Sequence, residues 1–184
     1  MKKIILLLGG ARSGKSTYAQ ELAKKMSRKV LFVATAAAGD EDMRRRIGNH
    51  KLKRPPGWRT LEATAGIGKA VEKEIKDAEV VVIDCITLLI GNLFGYFDEK
   101  SFDTIEDSLI EKEINREVDD LLKYLRQAQA SFIIVTNEVG LGIVPDNRMG
   151  RLYRDFLGSV NRQLAREADE VYLMTAGIPL RVKP

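Results

Sequence analysis

A glycine-rich segment near residue 10 has the composition and spacing needed to bind the phosphates of a nucleotide. It reads Gly9-Gly10-Ala11-Arg12-Ser13-Gly14-Lys15-Ser16 and matches the P-loop pattern G-x-x-x-x-G-K-[ST]. The glycines let the backbone wrap around a phosphate, and the N-terminus of the following helix adds the positive end of a dipole. In this pattern Lys15 reaches the β- and γ-phosphates, and the Ser16 hydroxyl ligates Mg²⁺. The sequence therefore predicts a nucleotide site.

Asp84 is a second candidate because it ends the apolar run 80–83. A carboxylate at the end of a buried strand could hold Mg²⁺ directly or through water. The alternative is that Asp84 caps the helix that follows. The presence of a P-loop favours the metal role. The N-K-x-D sequence by which switch GTPases read the base is absent from the chain, which argues against that class.

His50 is the only histidine and lies in a basic segment. A histidine exposed on a basic helix is usually solvated and inactive, and that is one interpretation here. The other is that His50 is a nucleophile, because neighbouring cations disfavour the imidazolium form and also attract an anionic phosphate chain. These cations are Arg46, Lys51, Lys53 and Arg54.

Short apolar runs and helix-length segments alternate along the chain. The runs 4–8, 30–34, 80–83, 132–135 and 171–174 predict strands buried on both faces of a largely parallel sheet. The clearest helix spans residues 105–125, with Thr104 and Asp107 offering a capping pattern at its start. Alternating strands and helices predict an α/β fold with a doubly wound sheet. We expect residues 1–184 to form a single domain of the P-loop NTPase type.

Two stretches interrupt this alternation and could border the ligand edge of the sheet. Residues 36–56 are rich in charge, and a short helix is predicted from about Asp40 to Lys53, ended by Pro55 and Pro56. In residues 140–154, three arginines are spaced by three along a predicted helix; they are Arg148, Arg151 and Arg154. They are either a solvated stripe or contacts to a triphosphate, in the same subunit or in a neighbouring one.

Composition excludes several classes. The 184 residues are 45% apolar and 30% charged, which suits a globular domain with a core. A single cysteine, Cys85, allows neither an intrachain disulfide nor a thiolate-rich zinc site, and it favours a cytoplasmic location. Asp84 interrupts the longest apolar region, so no transmembrane segment is expected. The net charge of +4 favours anionic ligands, but no aromatic cluster accompanies the basic residues to bind nucleic acid.

The chain also resembles, nearly end to end, the bifunctional adenosylcobinamide kinase/adenosylcobinamide-phosphate guanylyltransferase family of cobalamin biosynthesis. Besides the P-loop, the matching motifs are Ala34-Thr35, Arg46-Ile47, His50-Lys51, Trp58-Arg59-Thr60, Asp84-Cys85-Ile86-Thr87, Thr136-Asn137-Glu138-Val139-Gly140 and Gly142-Ile143-Val144-Pro145. The resemblance implies two reactions. ATP or GTP phosphorylates the aminopropanol hydroxyl of cobinamide, and GMP is then transferred from GTP onto the new phosphate.

The resemblance also implies roles for individual residues. His50 occupies the position that carries the covalent GMP intermediate in the family, and a homotrimer is implied. GTP is placed against the P-loop and against Thr35, Ala36, Ala37, Lys51, Leu52, Lys53, Arg54, Glu62 and Asp84. Some relatives carry a second histidine at the position of Asn49, and some carry glutamate at the position of Asp84. The second difference leaves open whether Asp84 contacts Mg²⁺, the ribose or the base.

Two other functions remain open at this point. Another small-molecule P-loop kinase or nucleotidyltransferase would transfer a phosphoryl group without labelling a histidine. A nucleotide-dependent regulatory protein would hydrolyse its nucleotide slowly and in dependence on a macromolecular partner.

Overall fold

The computed structural model describes residues 2–37, 41–52, 54–97 and 104–183, without the side chains of residues 42, 43, 46, 49, 50 and 52. Within this part of the chain there are six helices and seven strands. In order they are β1 (Ile4–Gly9), α1 (Lys15–Met26), β2 (Val30–Ala34), α2 (Glu41–Leu52), β3 (Arg59–Glu62), α3 (Ile67–Glu74), β4 (Val80–Asp84), α4 (Ile86–Phe94), α5 (Asp107–Gln127), β5 (Ser131–Val135), α6 (Arg148–Glu167), β6 (Glu170–Thr175) and β7 (Ile178–Lys183).

All seven strands belong to one sheet, in the order β3-β2-β4-β5-β1-β6-β7. The pairs among β1 to β6 are parallel, and only β7 runs antiparallel, against β6. The carboxyl ends of the six parallel strands therefore meet at one edge. Strand β5 lies between β1, which leads into the P-loop, and β4, which ends at Asp84.

The strands are buried on both faces, which explains their nearly continuous apolar sequences. In β1, Ile4 and Leu6 belong to the core on the face covered by α3, α4, α5 and α6. Ile5 and Leu7 belong to the core on the opposite face, where α1 contributes Ala19 and Ala23. Helices thus cover both faces, as the predicted doubly wound α/β fold requires.

The five predicted strands are confirmed as β1, β2, β4, β5 and β6. Strands β3 and β7 escaped the sequence analysis because they are the two edge strands of the sheet. In β3, intermediate and exposed residues alternate, and most of β7 is exposed, so neither strand needs a continuous apolar run. Among the described residues, no helix combines the length and the apolar character needed to span a bilayer.

The helix predicted over residues 105–125 is confirmed as α5, but its predicted cap is wrong. The N-cap residue is Glu106, which makes no side-chain cap hydrogen bond. The Asp107 carboxylate instead accepts a hydrogen bond from Arg148 on α6. The predicted short basic helix is confirmed as α2, and it ends three residues before Pro55. Asp40 and Lys53, the predicted ends of that helix, lie outside the described residues.

Candidate active site

The P-loop joins β1 to α1 in a conformation that requires glycine at two positions. Gly9 has φ +149°, and a Cβ atom there would lie 2.5 Å from the carbonyl oxygen of Met174. Gly14 has φ +94° and packs closely against Gly177. As the N-cap residue of α1, Gly14 offers no side chain to the first N–H groups of the helix, and the first turn holds no acidic residue. These N–H groups and the positive end of the helix dipole suit an anion.

Lys15 lies inside the loop, with only 7% of its surface exposed. Its Nζ donates hydrogen bonds to the carbonyl oxygens of Gly9 at 3.0 Å and Gly10 at 2.6 Å. Burial lowers the pKa of Lys15, while the nearby Cys85 and Asp84 groups act in the opposite direction. The Lys15 ammonium group is therefore close enough to the Asp84 carboxylate to interact with it electrostatically, although β5 lies between β1 and β4. Ser13 adds a buried hydroxyl oxygen that finds no hydrogen-bond partner among the described residues.

A cleft of about 860 Å³ opens beyond the ends of β2, β3 and β4, beside α2. Its size is within the usual range for small-molecule sites. Six of the predicted nucleotide contacts line it, namely Ala36, Ala37, Lys51, Arg54, Glu62 and Asp84. The P-loop residues do not line this cleft but lie next to it, on the other side of β5.

One wall of the cleft presents a guanidinium group on an aromatic stack. The Cζ atom of Arg54 lies 4.2 Å from the centroid of the Phe32 ring, which stacks on Trp58 with centroids 6.5 Å apart. Burial lowers the pKa of Arg54, and the carboxylates of Asp84 and Glu62 oppose that shift. The Arg54 Nε is buried and meets no hydrogen-bond partner in the described part of the chain. Arg54 is therefore a cation held in place over Phe32, and its Nε–H group can donate a hydrogen bond to a ligand.

At the mouth of the cleft, Lys51 on α2 forms an ion pair with Glu62 at the end of β3. Both side chains are about half exposed, so the pair contributes little to the free energy of folding. Its position matters more, since it joins the basic helix to the sheet edge. A phosphate or a nucleoside entering the cleft would meet both charges.

Thr35 is fully buried, and its hydroxyl fixes the turn after β4. The Thr35 Oγ1 accepts a hydrogen bond from the Cys85 N–H and donates one to the Cys85 carbonyl oxygen, both at 2.7 Å. The Asn92 Nδ2 donates to the carbonyl oxygens of Thr35 and Thr64, which joins the ends of β2 and β3 to α4. Thr35 thus fixes the backbone next to Asp84, and its contact with a nucleotide stays a prediction.

Cys85 follows Asp84 and lines the same cleft. Burial and the neighbouring Asp84 carboxylate raise the pKa of the thiol to about 11. The thiol is therefore protonated near neutral pH and is a poor nucleophile. Cys85, not Asp84, is the N-cap residue of α4, and its side chain makes no cap hydrogen bond.

The backbone of His50 belongs to α2, between Ile47 and Lys51, which both line the cleft. The side chains of His50 and Leu52 and the whole of Lys53 lie outside the described residues, so the contacts expected of them stay predictions.

Arg148, Arg151 and Arg154, the three arginines singled out in the sequence, lie on α6 and do not line the cleft. Arg148 donates to the Ile105 carbonyl oxygen at 2.9 Å as well as to Asp107. Arg151 donates to the carbonyl oxygens of Pro145 and Asp146, and Arg154 pairs with the adjacent Asp155. Arg148 and Arg151 are more than a solvated stripe, since they hold the segments before α5 and α6, whereas Arg154 bonds within its own helix. A contact with a triphosphate stays a hypothesis.

Asn137 lines the cleft, two residues after the end of β5. No site role was predicted for it from the sequence. The available signal was its position just beyond a predicted strand, at the edge where ligands of α/β sheets bind. Arg44, Ile47 and Gly48 of α2 also line the cleft. Their contribution depends on how α2 lies over the sheet, which no local pattern encodes.

The parallel sheet with a P-loop at its carboxyl edge defines an α/β protein of the P-loop NTPase type. The crystal structure of the flagellar accessory protein FlaH from Methanocaldococcus jannaschii has a similar fold, with a TM-score of 0.52 and 18% identity. That similarity covers 98% of this chain and 78% of the FlaH chain.

The chain belongs to the cobinamide kinase / cobinamide phosphate guanyltransferase family, whose family model matches residues 5–182. The bifunctional adenosylcobalamin biosynthesis protein CobU of Escherichia coli (strain K12) is 40% identical over 181 residues, 98% of this chain and 99% of that protein. The protein of the same name from Salmonella typhimurium is 38% identical with the same coverage. CobP of Pseudomonas aeruginosa is 35% identical over 97% of this chain and 96% of that protein.

Proposed function

We propose that this protein phosphorylates adenosylcobinamide with ATP or GTP and then transfers GMP from GTP to the product, giving adenosylcobinamide-GDP in cobalamin biosynthesis. The observation that carries the proposal is family membership over nearly the whole chain, together with the P-loop and the cleft at one sheet edge. The bifunctional names of the relatives from Escherichia coli and Salmonella typhimurium support both activities.

In the kinase step, the corrinoid hydroxyl oxygen attacks the γ-phosphorus and its proton passes to solvent water. The bond to the β–γ bridging oxygen breaks and releases a nucleoside diphosphate. Such a transfer depends mainly on positioning and on stabilising charge. Lys15 and the first N–H groups of α1 supply positive charge to the β- and γ-phosphates, which the burial of Lys15 in the loop supports.

In the guanylyl transfer, we propose that a ring nitrogen of His50 attacks the α-phosphorus of GTP and expels pyrophosphate. The phosphate of the corrinoid then attacks the same phosphorus, which releases the histidine and makes the exchange ping-pong. The lining of the cleft supports this proposal, because α2 provides Arg44 and Lys51 and the adjoining segment provides Arg54. These cations would hold the triphosphate against the helix that carries His50.

We also propose that Ser16 and Asp84 hold Mg²⁺. A hydroxyl and a carboxylate are hard oxygen donors, and Mg²⁺ needs only one or two protein ligands beside phosphates and water. That number fits the described residues, which bring no three His, Cys, Asp or Glu together as a metal group. When bound, Mg²⁺ neutralises charge on the phosphate oxygens.

Asp84→Asn is expected to raise the Mg²⁺ concentration for half-maximal kinase rate by about tenfold, because one charge is lost at almost constant volume. The measurement is a Mg²⁺ titration of the rate, with GTP affinity measured in parallel by calorimetry. The matched control is Asp155→Asn, which removes an exposed carboxylate paired with Arg154 on α6. A titration and a GTP affinity both equal to wild type would leave Asp84 with a structural role alone.

The assembly and location of the protein are part of the proposal. We expect a homotrimer, and the exposed apolar side chains of Ile178, Leu180 and Val182 on the edge strand β7 offer a surface for contact between copies. The single cysteine supports a cytoplasmic location. The ligands are corrinoids and nucleotides, and no role for nucleic acid is proposed.

The test is to incubate the purified protein with adenosylcobinamide and GTP labelled in either the γ- or the α-phosphate. We expect γ-label in adenosylcobinamide phosphate, and α-label in adenosylcobinamide-GDP with release of pyrophosphate. Phosphorylation of other small molecules only would favour a different P-loop kinase. Hydrolysis that requires a macromolecular partner, without either transfer, would favour a regulatory protein.

A further inference from the structure

Asn137 lies at the point of the sheet edge where the two halves of the candidate site meet. Val135 of β5 is in register with Leu7 of β1 on one side and with Asp84 of β4 on the other. Two residues further on, Asn137 comes level with Gly9, where the P-loop begins. The hydrogen bond from the Glu138 N–H to the Gly9 carbonyl oxygen, at 3.0 Å, holds the two segments together there. Asn137 therefore lies between the loop that carries Lys15 and the carboxylate of Asp84.

The backbone of Asn137 is held by side chains from two different helices. Its N–H donates to the Oγ1 of Thr87, on α4, at 2.7 Å. Its carbonyl oxygen accepts a hydrogen bond from the Nδ2 of Asn161, on α6, at 2.9 Å. Both peptide groups that flank the Asn137 Cα are thus fixed, and the direction of the side chain is constrained with them.

The residues that hold Asn137 are themselves held. The Asn161 Oδ1 accepts a hydrogen bond from the Thr136 hydroxyl at 2.8 Å, and the Thr87 carbonyl oxygen accepts one from the Tyr153 hydroxyl at 2.9 Å. Thr87, Thr136 and Asn161 are all buried. Polar side chains are costly to bury and are tolerated where their hydrogen bonds are satisfied. A satisfied buried network of this kind fixes one geometry.

The side chain of Asn137, in contrast, makes no hydrogen bond with the described part of the chain. It is half-buried in the lining of the cleft, so its amide group is accessible to a ligand there. The backbone of Asn137 is therefore fixed, and its side-chain amide is free to donate a hydrogen bond to a ligand. This donor lies between the P-loop and Asp84. The ligand group expected at this junction is the terminal phosphate of the nucleotide.

We infer that Asn137 is a catalytic residue of the kinase step, an inference that rests on the proposed function. Its Nδ2 donates a hydrogen bond to a non-bridging oxygen of the γ-phosphoryl group during transfer. The bond from the corrinoid oxygen to phosphorus forms, the bond to the bridging oxygen breaks, and the hydroxyl proton passes to solvent water, so Asn137 exchanges no proton. A donor aimed at charge that develops in transfer lowers the barrier more than it tightens ground-state binding.

The first test compares Asn137→Ala and Asn137→Asp with wild type in the phosphorylation of adenosylcobinamide. We expect kcat to fall by about 10²-fold for alanine, the scale of one lost transition-state donor, and further for aspartate, whose charge repels the phosphate. The KM for the nucleotide should change by less than about threefold. Thermal unfolding should stay close to wild type, because the side chain has no bond to lose. Asn115→Asp on α5, away from the cleft, is the matched control.

Thr87→Val separates a positioning effect from a general loss of structure. It removes the oxygen that accepts the Asn137 N–H while keeping the side-chain shape, and we expect kcat to fall about tenfold. In the Asn137→Ala background the same change should have almost no further effect on kcat, because the group that Thr87 positions is gone. Effects that multiply in the double variant would overturn a shared role.

A binding measurement tests the inference independently of the corrinoid. GDP with aluminium fluoride mimics the γ-phosphoryl group in transfer, and calorimetry compares its affinity with that of GDP alone. Asn137→Ala should weaken the fluoroaluminate complex by about 50-fold and leave GDP affinity within about threefold. Equal weakening of both ligands, or no weakening, overturns the inference. If the fluoroaluminate result holds while wild type fails to phosphorylate adenosylcobinamide, the proposed substrate is wrong and Asn137 keeps its role.

Discussion

Lys15→Ala is expected to lower both phosphorylation and guanylyl transfer by about 10³-fold or more. The Lys15 ammonium group lies inside the P-loop, bonded to two loop carbonyl oxygens and within the electrostatic reach of Asp84. When a triphosphate is bound, the same ammonium group faces the charge that develops on the leaving oxygens in each reaction. The two rates are measured by transfer of γ-label and α-label from GTP to the corrinoid.

The variant should remain folded even though Lys15 is buried. The Gly9 carbonyl oxygen keeps the Glu138 N–H as a donor, and the Gly10 carbonyl oxygen keeps the Ser13 N–H. No buried carbonyl group is therefore left without a partner, which is the usual cause of a large loss of stability. The matched control is Lys24→Ala, which removes an exposed lysine from the same helix. If Lys15→Ala kept more than about a tenth of either rate while Lys24→Ala kept all of it, the loop would have no central role in that reaction.

The elements of the fold that could be predicted are those with a recognisable local sequence pattern. Strands buried on both faces are apolar at nearly every position, so the runs 30–34 and 132–135 are visible without any tertiary information. The edge strand β3, with Arg59 and Glu62 at its ends, meets no such requirement. The cap predicted for α5 does not form, and Asp107 instead pairs with Arg148 from α6, a contact between residues 41 positions apart.

In the candidate site, too, some residues are recognisable from local sequence and others only from the folded structure. The P-loop is contiguous, so its glycines, Lys15 and Ser16 are evident from their spacing. The remaining cleft is assembled from the ends of β2, β3 and β4 and from α2. Asp84 and the cations of the basic segment were singled out by their own sequence context, whereas Glu62 and the residues after β2 were named by family resemblance alone. Asn137 depends on Thr87 and Asn161, which lie 50 positions before it and 24 after it in the chain. Such an arrangement exists only after folding.

His50→Asn is expected to separate the two activities of the protein. Asparagine cannot form the phosphoramidate with GMP, so guanylyl transfer should fall by several orders of magnitude. Phosphorylation passes directly from the γ-position to the corrinoid hydroxyl and uses no covalent intermediate, so its rate should stay within about threefold of wild type. The measurement is the rate of each transfer with purified adenosylcobinamide or adenosylcobinamide phosphate as acceptor. Glu41→Gln, an exposed change at the start of α2, is the control and should keep both rates.

The covalent intermediate gives this prediction a second, chemical readout. In wild type, label from the α-phosphate of GTP should remain with the denatured chain, be lost in acid and persist in base, as a bond between phosphorus and nitrogen requires. Label from the γ-phosphate should not remain, because the kinase step leaves nothing on the protein. Retention of α-label by His50→Asn would move the nucleophile to another residue. Base-labile label would indicate an adduct on a carboxylate instead. Loss of both activities in His50→Asn would mean that His50 supports binding of the nucleotide shared by the two reactions.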